Sequence, residues 1–341
     1  MTRTPELPNV LVTGGAGYVG AVLVPQLLDA GYTVRVLDLF FFGKDGLSGV
    51  LDHPRLELVK GDIRDAATVA SALEGIDAVI HLACISNDPS CDLDPALSRT
   101  INYDAFEPLV KMSRDAGVRR FVFASSSSVY GVSDAPQVTE DHPLLPITDY
   151  NRYKGMCEEV MFRYQAPDFT TVSIRPATVC GVSPRQRLDL VVNILTVQAF
   201  ERGRVTVFGG DQQRPNVHVR DMVDLYQLLL ELPSEKIAGE AFNVAHENHR
   251  VADLARLVKR EIEYALPDRE PVEIETTESD DPRSYHICCD KIRDRLGFVP
   301  RRSIEEAVRD MIDAFRAGHV PDALTSSRYY NVRRMKELEL R

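Results

Sequence analysis

The sequence predicts an α/β protein that has a doubly wound parallel sheet and a smaller, discontinuous α/β domain. Strand and helix patterns alternate up to Pro176, and the predicted strands are short apolar runs typical of a buried parallel sheet. After Pro176 the alternation becomes irregular. The chain has 341 residues, which is long for one domain and natural for two. We therefore expect a first domain at 1–177, with a return to the main sheet at about 219–245.

The first strand runs into a glycine cluster, Thr-Gly-Gly-Ala-Gly-Tyr-Val-Gly at 13–20, and a helix is predicted over 18–30. The pattern G-x-G-x-x-G at 15–20 fits a dinucleotide fingerprint, and G-x-x-G-x-x-G at 14–20 fits the same residues. Glycines avoid clashes in the turn, and the helix N-terminus offers unpaired N–H groups to a diphosphate. The expected cofactor contacts at this turn are Gly14, Gly17, Tyr18, Val19 and Gly20.

The second strand, 33–38, ends in Asp38, 18 positions after Gly20. A carboxylate there accepts hydrogen bonds from both hydroxyls of an adenosine ribose and repels a 2′-phosphate. Lys44 is the only nearby base, and no arginine directly follows Asp38. The sequence thus predicts NAD rather than NADP.

The remaining elements follow from the same patterns. Strands are predicted at 56–59, 77–83, 121–124 and 171–174, and helices at 66–73, 95–116 and 151–164. Later helices are predicted near 188–201, 219–232, 251–266 and 304–317, and 241–245 is expected to rejoin the main sheet. Right-handed crossovers in such a sheet place ligands beyond the carboxyl ends of the strands. The loop 84–90 should therefore border a ligand, with Ser86 as a candidate contact.

Tyr150 and Lys154 are four residues apart and share one face if the segment is helical. A free phenol has a pKa of roughly 10, so it is a poor base at neutral pH. A lysine ammonium and an oxidised nicotinamide nearby would lower that pKa, and the phenolate could then take a hydroxyl proton. Four serines, 125–128, follow the strand 121–124, and one of them would orient the reacting oxygen. Tyr153 has no lysine four residues later and is assigned to the apolar face.

Composition and charge limit the class of protein. The chain is 44 % hydrophobic and 27 % charged, and its formal charge of −11 argues against a nucleic-acid surface. The chain has no run of 18 apolar residues, so no membrane span is predicted. Residues 1–8 carry no apolar signal region. The six cysteines and the histidines show no metal-ligand spacing. We expect a cytoplasmic enzyme without a metal.

Together these motifs resemble the extended short-chain dehydrogenases/reductases of the nucleotide-sugar epimerase and dehydratase group. The similarity covers about 9–317 and includes His81-Leu82-Ala83, Ser-Ser-Ser-Val-Tyr-Gly, Arg175-Pro176 and the segments at 214–219 and 296–300. It implies that 1–177 is a Rossmann domain that binds NAD and that 178–218 and 246–318 form the substrate-binding domain. It also implies a homodimer formed through the helices 95–116 and 151–164, where Met156, Val160, Met161 and Tyr164 have helical spacing suited to an interface or a core.

The resemblance assigns further roles. Asp62 and Ile63 would hold the adenine, Leu82 and Ala83 would lie along the cofactor, and Asn102 would lie near the network of the active-site lysine. Counting back from Tyr130-Gly131 places the catalytic Ser or Thr at Ser126. Arg214 would face the sugar-nucleotide diphosphate, and Arg283 would reach the nucleotide. The planar guanidinium of an arginine can bond two phosphate oxygens at once, which suits these two roles. Arg185 and Arg187 either add positive charge for a phosphate or stay solvated.

Three departures bear on the reaction. Similar 4,6-dehydratases carry Asp-Glu where this chain has Ser127 and Ser128, and a serine is a poor base. Thr178 stands where many relatives have an Asn that bonds the diphosphate. Ser127, Ser128 and Thr178 are all expected to contact the substrate. Cys180 replaces a tyrosine before Gly181 and is either an acid/base group or a buried hydrophobic residue.

The sequence thus predicts an NAD-dependent epimerase of a nucleotide-diphosphate sugar, which oxidises the sugar to a keto intermediate and returns the hydride, like a 4-epimerase. Tyr150, Lys154 and Ser126 are the predicted catalytic residues. Two alternatives stay open in catalysis: a C3/C5 epimerase acting through an enol, and a net dehydrogenase or reductase. A non-catalytic NAD-binding protein is disfavoured because tyrosine and lysine are both present. The tail, 319–341, is an interface arm or a surface helix, and we favour the surface helix.

Overall fold

The computed structural model describes residues 5–133, 135–278 and 286–339. Its strands are β1 Asn9–Thr13, β2 Thr33–Asp38, β3 Leu56–Lys60, β4 Ala78–His81, β5 Arg120–Ala124, β6 Thr170–Pro176, β7 Thr178–Cys180, β8 Arg204–Phe208, β9 Gln213–His218, β10 Glu240–Val244, β11 Glu247–Arg250 and β12 Glu273–Thr277. Its α-helices are α1 Gly20–Asp29, α2 Ala66–Leu73, α3 Asp88–Cys91, α4 Pro95–Arg99, α5 Phe106–Asp115, α6 Asp149–Arg163, α7 Val191–Arg202, α8 Val219–Glu231, α9 Ser234–Ile237, α10 Val251–Ala265, α11 Asp290–Leu296, α12 Ile304–Arg316 and α13 Asn331–Leu338.

The central sheet has seven parallel strands in the order β10-β6-β5-β4-β1-β2-β3. In register, Val12 of β1 pairs with Val36 on one side and Ile80 on the other. The strand order reverses between β1 and β4, and a crevice for ligands opens there beyond the carboxyl ends. The predicted α/β fold class with a doubly wound parallel sheet is confirmed. The predicted return of 241–245 corresponds to β10, which pairs with β6.

Alternation along the strands builds a core on each face of this sheet. Val10 and Val12 point to the face covered by α1 and α8, and Leu11 points to the face covered by α2, α5 and α6. Val160 and Met161 of α6 belong to this second core, whereas Met156 and Tyr164 are partly exposed. Two of the four residues with interface spacing are therefore core residues of the chain itself.

A third apolar core lies among α7, α10 and α12 and the shorter strands. Those strands form a three-stranded sheet, β11-β9-β7, and a two-stranded sheet, β12-β8. Cys180 is fully buried in this core. The domain boundaries given above stay a prediction. Among the helices described, none is long and apolar enough to cross a membrane.

The helical stretch predicted over 95–116 is present but is not one regular α-helix. The segment consists of α4, a π-helical turn over Thr100–Asp104, and α5. Asn102 in this turn accepts a hydrogen bond from the backbone N–H of Ile85 at 2.8 Å and donates one to the Ile85 carbonyl at 2.9 Å. A π turn places one extra residue in the helix, and the amide of Asn102 is thereby turned to the loop after β4. The residue thus holds that loop.

The tail folds onto the rest of the chain. Within it, α13 packs against α3, and Arg334 donates a hydrogen bond to the carbonyl of Phe41 at 3.0 Å. Arg328 forms an ion pair with Asp45 at 3.0 Å. The favoured expectation of a surface helix describes only one side of α13, because Asn331 and Met335 are buried on the other.

Candidate active site

A cleft of about 1000 Å³ lies beyond the carboxyl ends of the central strands. It is lined by these sequence-predicted residues: Gly14, Gly17, Tyr18, Val19, Gly20, Asp38, Asp62, Ile63, Leu82, Ala83, Ser86, Ser126, Ser127, Ser128, Tyr150, Lys154, Thr178 and Arg214. Arg283 lies outside the described residues. The predicted cofactor-binding residues and the described residues predicted for catalysis and substrate binding therefore line one cleft.

The glycine turn after β1 leaves no room for a side chain at Gly14 or Gly20. Gly14 has a φ of +72°, and a Cβ there would lie 2.7 Å from the backbone of Ala83. A Cβ at Gly20 would lie 2.5 Å from the carbonyl oxygen of Gly15, so only glycine allows α1 to begin against the turn. The surface is thus concave, and it ends at a helix N-terminus, as a diphosphate requires.

Asp38 at the end of β2 is held in place by the backbone. Its carboxylate accepts hydrogen bonds from the N–H of Ala16 at 3.0 Å and of Phe40 at 2.7 Å. Burial raises the pKa of Asp38, and these two N–H groups and the nearby Arg185 guanidinium oppose the increase. Asp38 thus joins the glycine turn to the segment after β2, where the ribose of NAD is expected.

Tyr18 ties the glycine turn to the second half of the chain. Its hydroxyl donates to the carbonyl of Gly181 at 2.7 Å and accepts from the Asn193 amide at 3.2 Å. Its own carbonyl accepts from Ser183 at 2.7 Å. Its side chain therefore anchors one wall of the cleft to the other, and its backbone lines the cofactor side.

Asp62 lines the cleft with its carboxylate already paired. Arg64 bonds it at 2.6 Å, and the hydrogen bonds and charge of Arg64 outweigh burial and lower the pKa of Asp62. The expected contact of Asp62 with the adenine stays a prediction.

Tyr150 and Lys154 share one face of α6, as predicted. The helix begins after Thr148, whose hydroxyl caps the N–H of Asn151 at 3.4 Å and donates to Asp88 at 2.5 Å. The Lys154 ammonium donates to the carbonyl of Ala124, at the end of β5, at 2.6 Å and lies 4.8 Å from the centre of the Phe123 ring. It lies 5.8 Å from the centre of the Tyr150 ring. The lysine thus connects β5 to the tyrosine.

The pKa of Tyr150 is raised rather than lowered. Burial is the main cause, the Cys84 and Cys91 thiols and the Asp88 carboxylate add to it, and the Arg187 guanidinium opposes it. The expected lowering by Lys154 does not appear, because desolvation outweighs the charges around the phenol. The protein alone therefore keeps the phenol protonated.

The serines form a chain of hydrogen bonds. The hydroxyls of Ser126 and Ser128 lie 2.7 Å apart, and Ser128 donates to the side-chain carbonyl of Asn151 at 2.5 Å. A hydroxyl has one proton, so Ser126 donates to Ser128. Ser126 also accepts from the backbone N–H of Ser128 at 3.2 Å, which leaves it one lone pair for a ligand hydroxyl. No motif in the sequence pointed to this role of Asn151.

Behind the serines, a buried network holds the strands and α6 together. Arg175 forms an ion pair with Glu158 at 2.6 Å and donates to the Tyr130 hydroxyl at 2.7 Å. Tyr130 donates in turn to Asn243 at 2.7 Å. The motif residues Tyr130 and Arg175 therefore support the site from behind, and neither lines the cleft as described.

Two buried arginines line the side of the cleft formed by the second half of the chain. This side, which includes Arg185, Arg187 and Asp189, is called the second wall. Arg187 bonds Asp189 at 2.7 Å and Ser86 at 2.9 Å, and Arg185 lies over the Phe42 ring at 3.6 Å. Among the described residues, Nη2 of Arg187 and Nε of Arg185 have no hydrogen-bond partner. Of the two possibilities left open for these arginines, solvation is wrong. Buried guanidiniums with spare N–H groups suit an anionic ligand.

Cys180 does not lie among the residues that line the cleft. Burial raises the pKa of its thiol, and its Sγ lies 3.6 Å from the carbonyl oxygen of Val217. Of the two alternatives for Cys180, the structure supports the buried hydrophobic residue.

A glycine turn at the switch point of a parallel sheet, an acidic residue at the end of β2 and a Tyr/Lys helix define a dinucleotide-binding enzyme class. The family model described as "NAD dependent epimerase/dehydratase family" matches residues 10–245. The chain belongs to this family, and its cofactor is NAD.

Relatives and solved structures agree with this assignment. A UDP-glucose 4-epimerase of Lactobacillus helveticus is 30 % identical over 327 residues, which cover 89 % of this chain and 94 % of the relative. The structure of a UDP-glucose 4-epimerase of Thermotoga maritima with UDP-glucose is 29 % identical, with a TM-score of 0.78 over 91 % of this chain and 99 % of that one. The dTDP-glucose 4,6-dehydratase DesIV of Streptomyces venezuelae, solved with NAD, is 26 % identical, with a TM-score of 0.80 over 91 % and 97 %.

Proposed function

We propose that this protein is an NAD-dependent epimerase of a nucleotide-diphosphate sugar that works by transient oxidation and return of the hydride, like a 4-epimerase. One observation carries the proposal. Tyr150, Lys154 and Ser126 line one cleft, while hydroxyls at Ser127 and Ser128 occupy the positions of the dehydratase acids. Ser128 is bonded to Asn151 and is no base, which favours epimerisation over dehydration.

Each catalytic side chain has a distinct task. Tyr150 takes the proton of a sugar hydroxyl at its phenol oxygen and later returns it. Burial raises the pKa of Tyr150, and the positive charges of Lys154, which is fixed to the end of β5, and of bound NAD would offset that increase and favour the phenolate. Ser126 donates its hydroxyl proton to the sugar oxygen, in place of its bond to Ser128, and so orients that oxygen. Bound NAD supplies the hydride acceptor, and because it is regenerated the reaction has no net redox change.

The second wall of the cleft favours a diphosphate. Arg187 is buried there with a spare N–H, and Arg214 of β9, two residues before the strand partner of Thr178 in β7, lines the same cleft. Guanidinium forks match phosphate oxygens, and burial strengthens their attraction to an anion. We therefore assign Arg187 and Arg214 to the sugar-nucleotide diphosphate.

We also propose a homodimer formed through α5 and α6. Met156 and Tyr164 are partly exposed on α6, and the Tyr164 hydroxyl donates to Glu107 of α5 at 3.0 Å, so the two helices present a joint surface. Light scattering on the purified protein should give twice the chain mass, and the mass of one chain would refute this assembly.

The function is tested by proton NMR of products formed from UDP-glucose, UDP-galactose, UDP-glucuronic acid and dTDP-glucose. We expect one of these to give an epimer without accumulation of NADH. Release of NADH would identify a net dehydrogenase instead. A 4-keto-6-deoxy product would identify a dehydratase.

A further inference from the structure

Asn331, the first residue of α13, is buried and forms hydrogen bonds with three other residues that line the cleft. Its side-chain carbonyl accepts a hydrogen bond from Arg185 at 2.7 Å, and its amide donates to the Ser86 hydroxyl at 2.9 Å. Its backbone N–H donates to Asp189 at 2.9 Å. One tail residue therefore connects the loop after β4 with two residues of the second wall.

The rest of α13 keeps this hub in place. Met335, one turn later on the helix, is buried in the same apolar core as Ile63 and Ile85. Arg334 is bonded to Phe41, on the segment that follows Asp38. The helix is thus attached to the cofactor side of the cleft as well as to its second wall.

Arg185 is the partner of Asn331 that lies nearest the cofactor side. Its guanidinium stacks on Phe42, and its charge opposes the burial that raises the pKa of Asp38, the last residue of β2, where the ribose binds in this fold. Its Nε has no partner among the described residues. Burial and the neighbouring Arg187 lower the pKa of Arg185, so an anion beside it would relieve an unfavourable position.

We propose that Asn331 is a positioning residue for NAD: its amide orients the Arg185 guanidinium so that the spare Nε–H is available to the cofactor's diphosphate. Without the amide, Arg185 loses the acceptor of its Nη2 and is free to rotate on the Phe42 ring. A hydrogen bond to a charged group is worth enough that its loss should weaken NAD binding about tenfold.

A double-mutant cycle tests the proposal, with the dissociation constant of NAD as its readout. The variants are Asn331→Ala, Arg185→Met and the double variant, and titration calorimetry after removal of bound nucleotide gives each constant. If Asn331 acts through Arg185, both single variants weaken NAD and the double variant is no weaker than Arg185→Met. Arg333→Ala is the matched control, because Arg333 bonds Leu324 and stacks on Tyr330 within the tail, and it should bind NAD normally.

Adenosine, which lacks the diphosphate, separates positioning from a general loss of structure. The Asn331→Ala variant should bind adenosine as the unmodified protein does. Additive losses in the cycle, or an equal loss for adenosine and NAD, would overturn the proposal. These measurements need no turnover, so they stand apart from the test of the epimerase reaction.

Discussion

Glu158 lies one helical turn beyond Lys154 on α6 and forms a buried ion pair with Arg175 of β6, with 2.6 Å between Oε2 and Nη2. Ser173 of the same strand donates a second hydrogen bond to Glu158 at 2.9 Å. The pair fastens the helix that carries Tyr150 and Lys154 to the sheet. Because both partners are desolvated, removing one leaves an uncompensated buried charge.

Glu158→Gln should lower the free energy of unfolding by about 3–5 kcal/mol, because the Arg175 guanidinium loses its counter-ion in the core. Urea denaturation measures this change. Glu159→Gln, at the exposed neighbouring position, is the control and should change it by less than about 0.5 kcal/mol. Equal stabilities of the two variants would show that the ion pair does not hold α6.

Tyr150→Phe should lower kcat by about 10²-fold or more, because the hydroxyl that takes the substrate proton is lost. Tyr153→Phe is the matched control on the same helix, since Tyr153 stacks on Tyr103 with 5.9 Å between ring centres. Steady-state kinetics gives kcat for both variants and for the unmodified protein. Similar rates for the two would remove Tyr150 from the reaction.

The pH profile of turnover should move in opposite directions when the two charges around Tyr150 are removed. Arg187 lowers the pKa of Tyr150 and Asp88 raises it. Activity through the phenolate rises with pH, so Arg187→Met should shift this ascending limb of the profile to higher pH and Asp88→Asn to lower pH, each by about one unit. Shifts of the same sign, or none, would mean that another group limits the rate.

His81 should make the protein sensitive to acid. Its ring is buried and joined to Thr13 by a hydrogen bond of 2.7 Å, and burial, followed by the charge of Lys154, lowers the pKa of His81 to about 3. Between that pH and the usual value of about 6.5 the unfolded chain binds the extra proton, so stability falls as the pH falls through this window.

The slope from this one group should approach about 1.4 kcal/mol per pH unit. Urea denaturation between pH 7 and pH 4 should show a shallower dependence for His81→Gln than for the unmodified chain. His319→Gln, at an exposed position of the tail, is the control. An unchanged slope for His81→Gln would place the acid sensitivity elsewhere.

Most of the main sheet could be predicted from the sequence because its signals are local. The apolar run before the glycines, the acid at Asp38 and the four-residue spacing of Tyr150 and Lys154 each lie within a few neighbouring positions. The helix over 95–116 could not be predicted in full. Its π turn depends on the bonds between Asn102 and Ile85, 17 residues away, which no periodicity records.

The second wall of the cleft depends on still longer separations. Arg185 meets Asn331 across 146 residues, so the sequence left both the burial of the arginine and the role of the tail open. The raised pKa of Tyr150 could not be predicted from the sequence either. The increase comes mainly from burial by the surrounding fold, which outweighs the effect expected of Lys154. Charge spacing in the sequence carries no measure of desolvation.

Proton NMR in deuterated water tests the central claim most directly, with the substrate that the protein epimerises. If Tyr150 removes a hydroxyl proton while the hydride leaves the same carbon and returns to it, the epimer forms with every ring proton retained. Deuterium at a ring carbon of the product would show that a C–H proton had exchanged with solvent through an enol. That result would contradict the proposed role of Tyr150 and the hydride route.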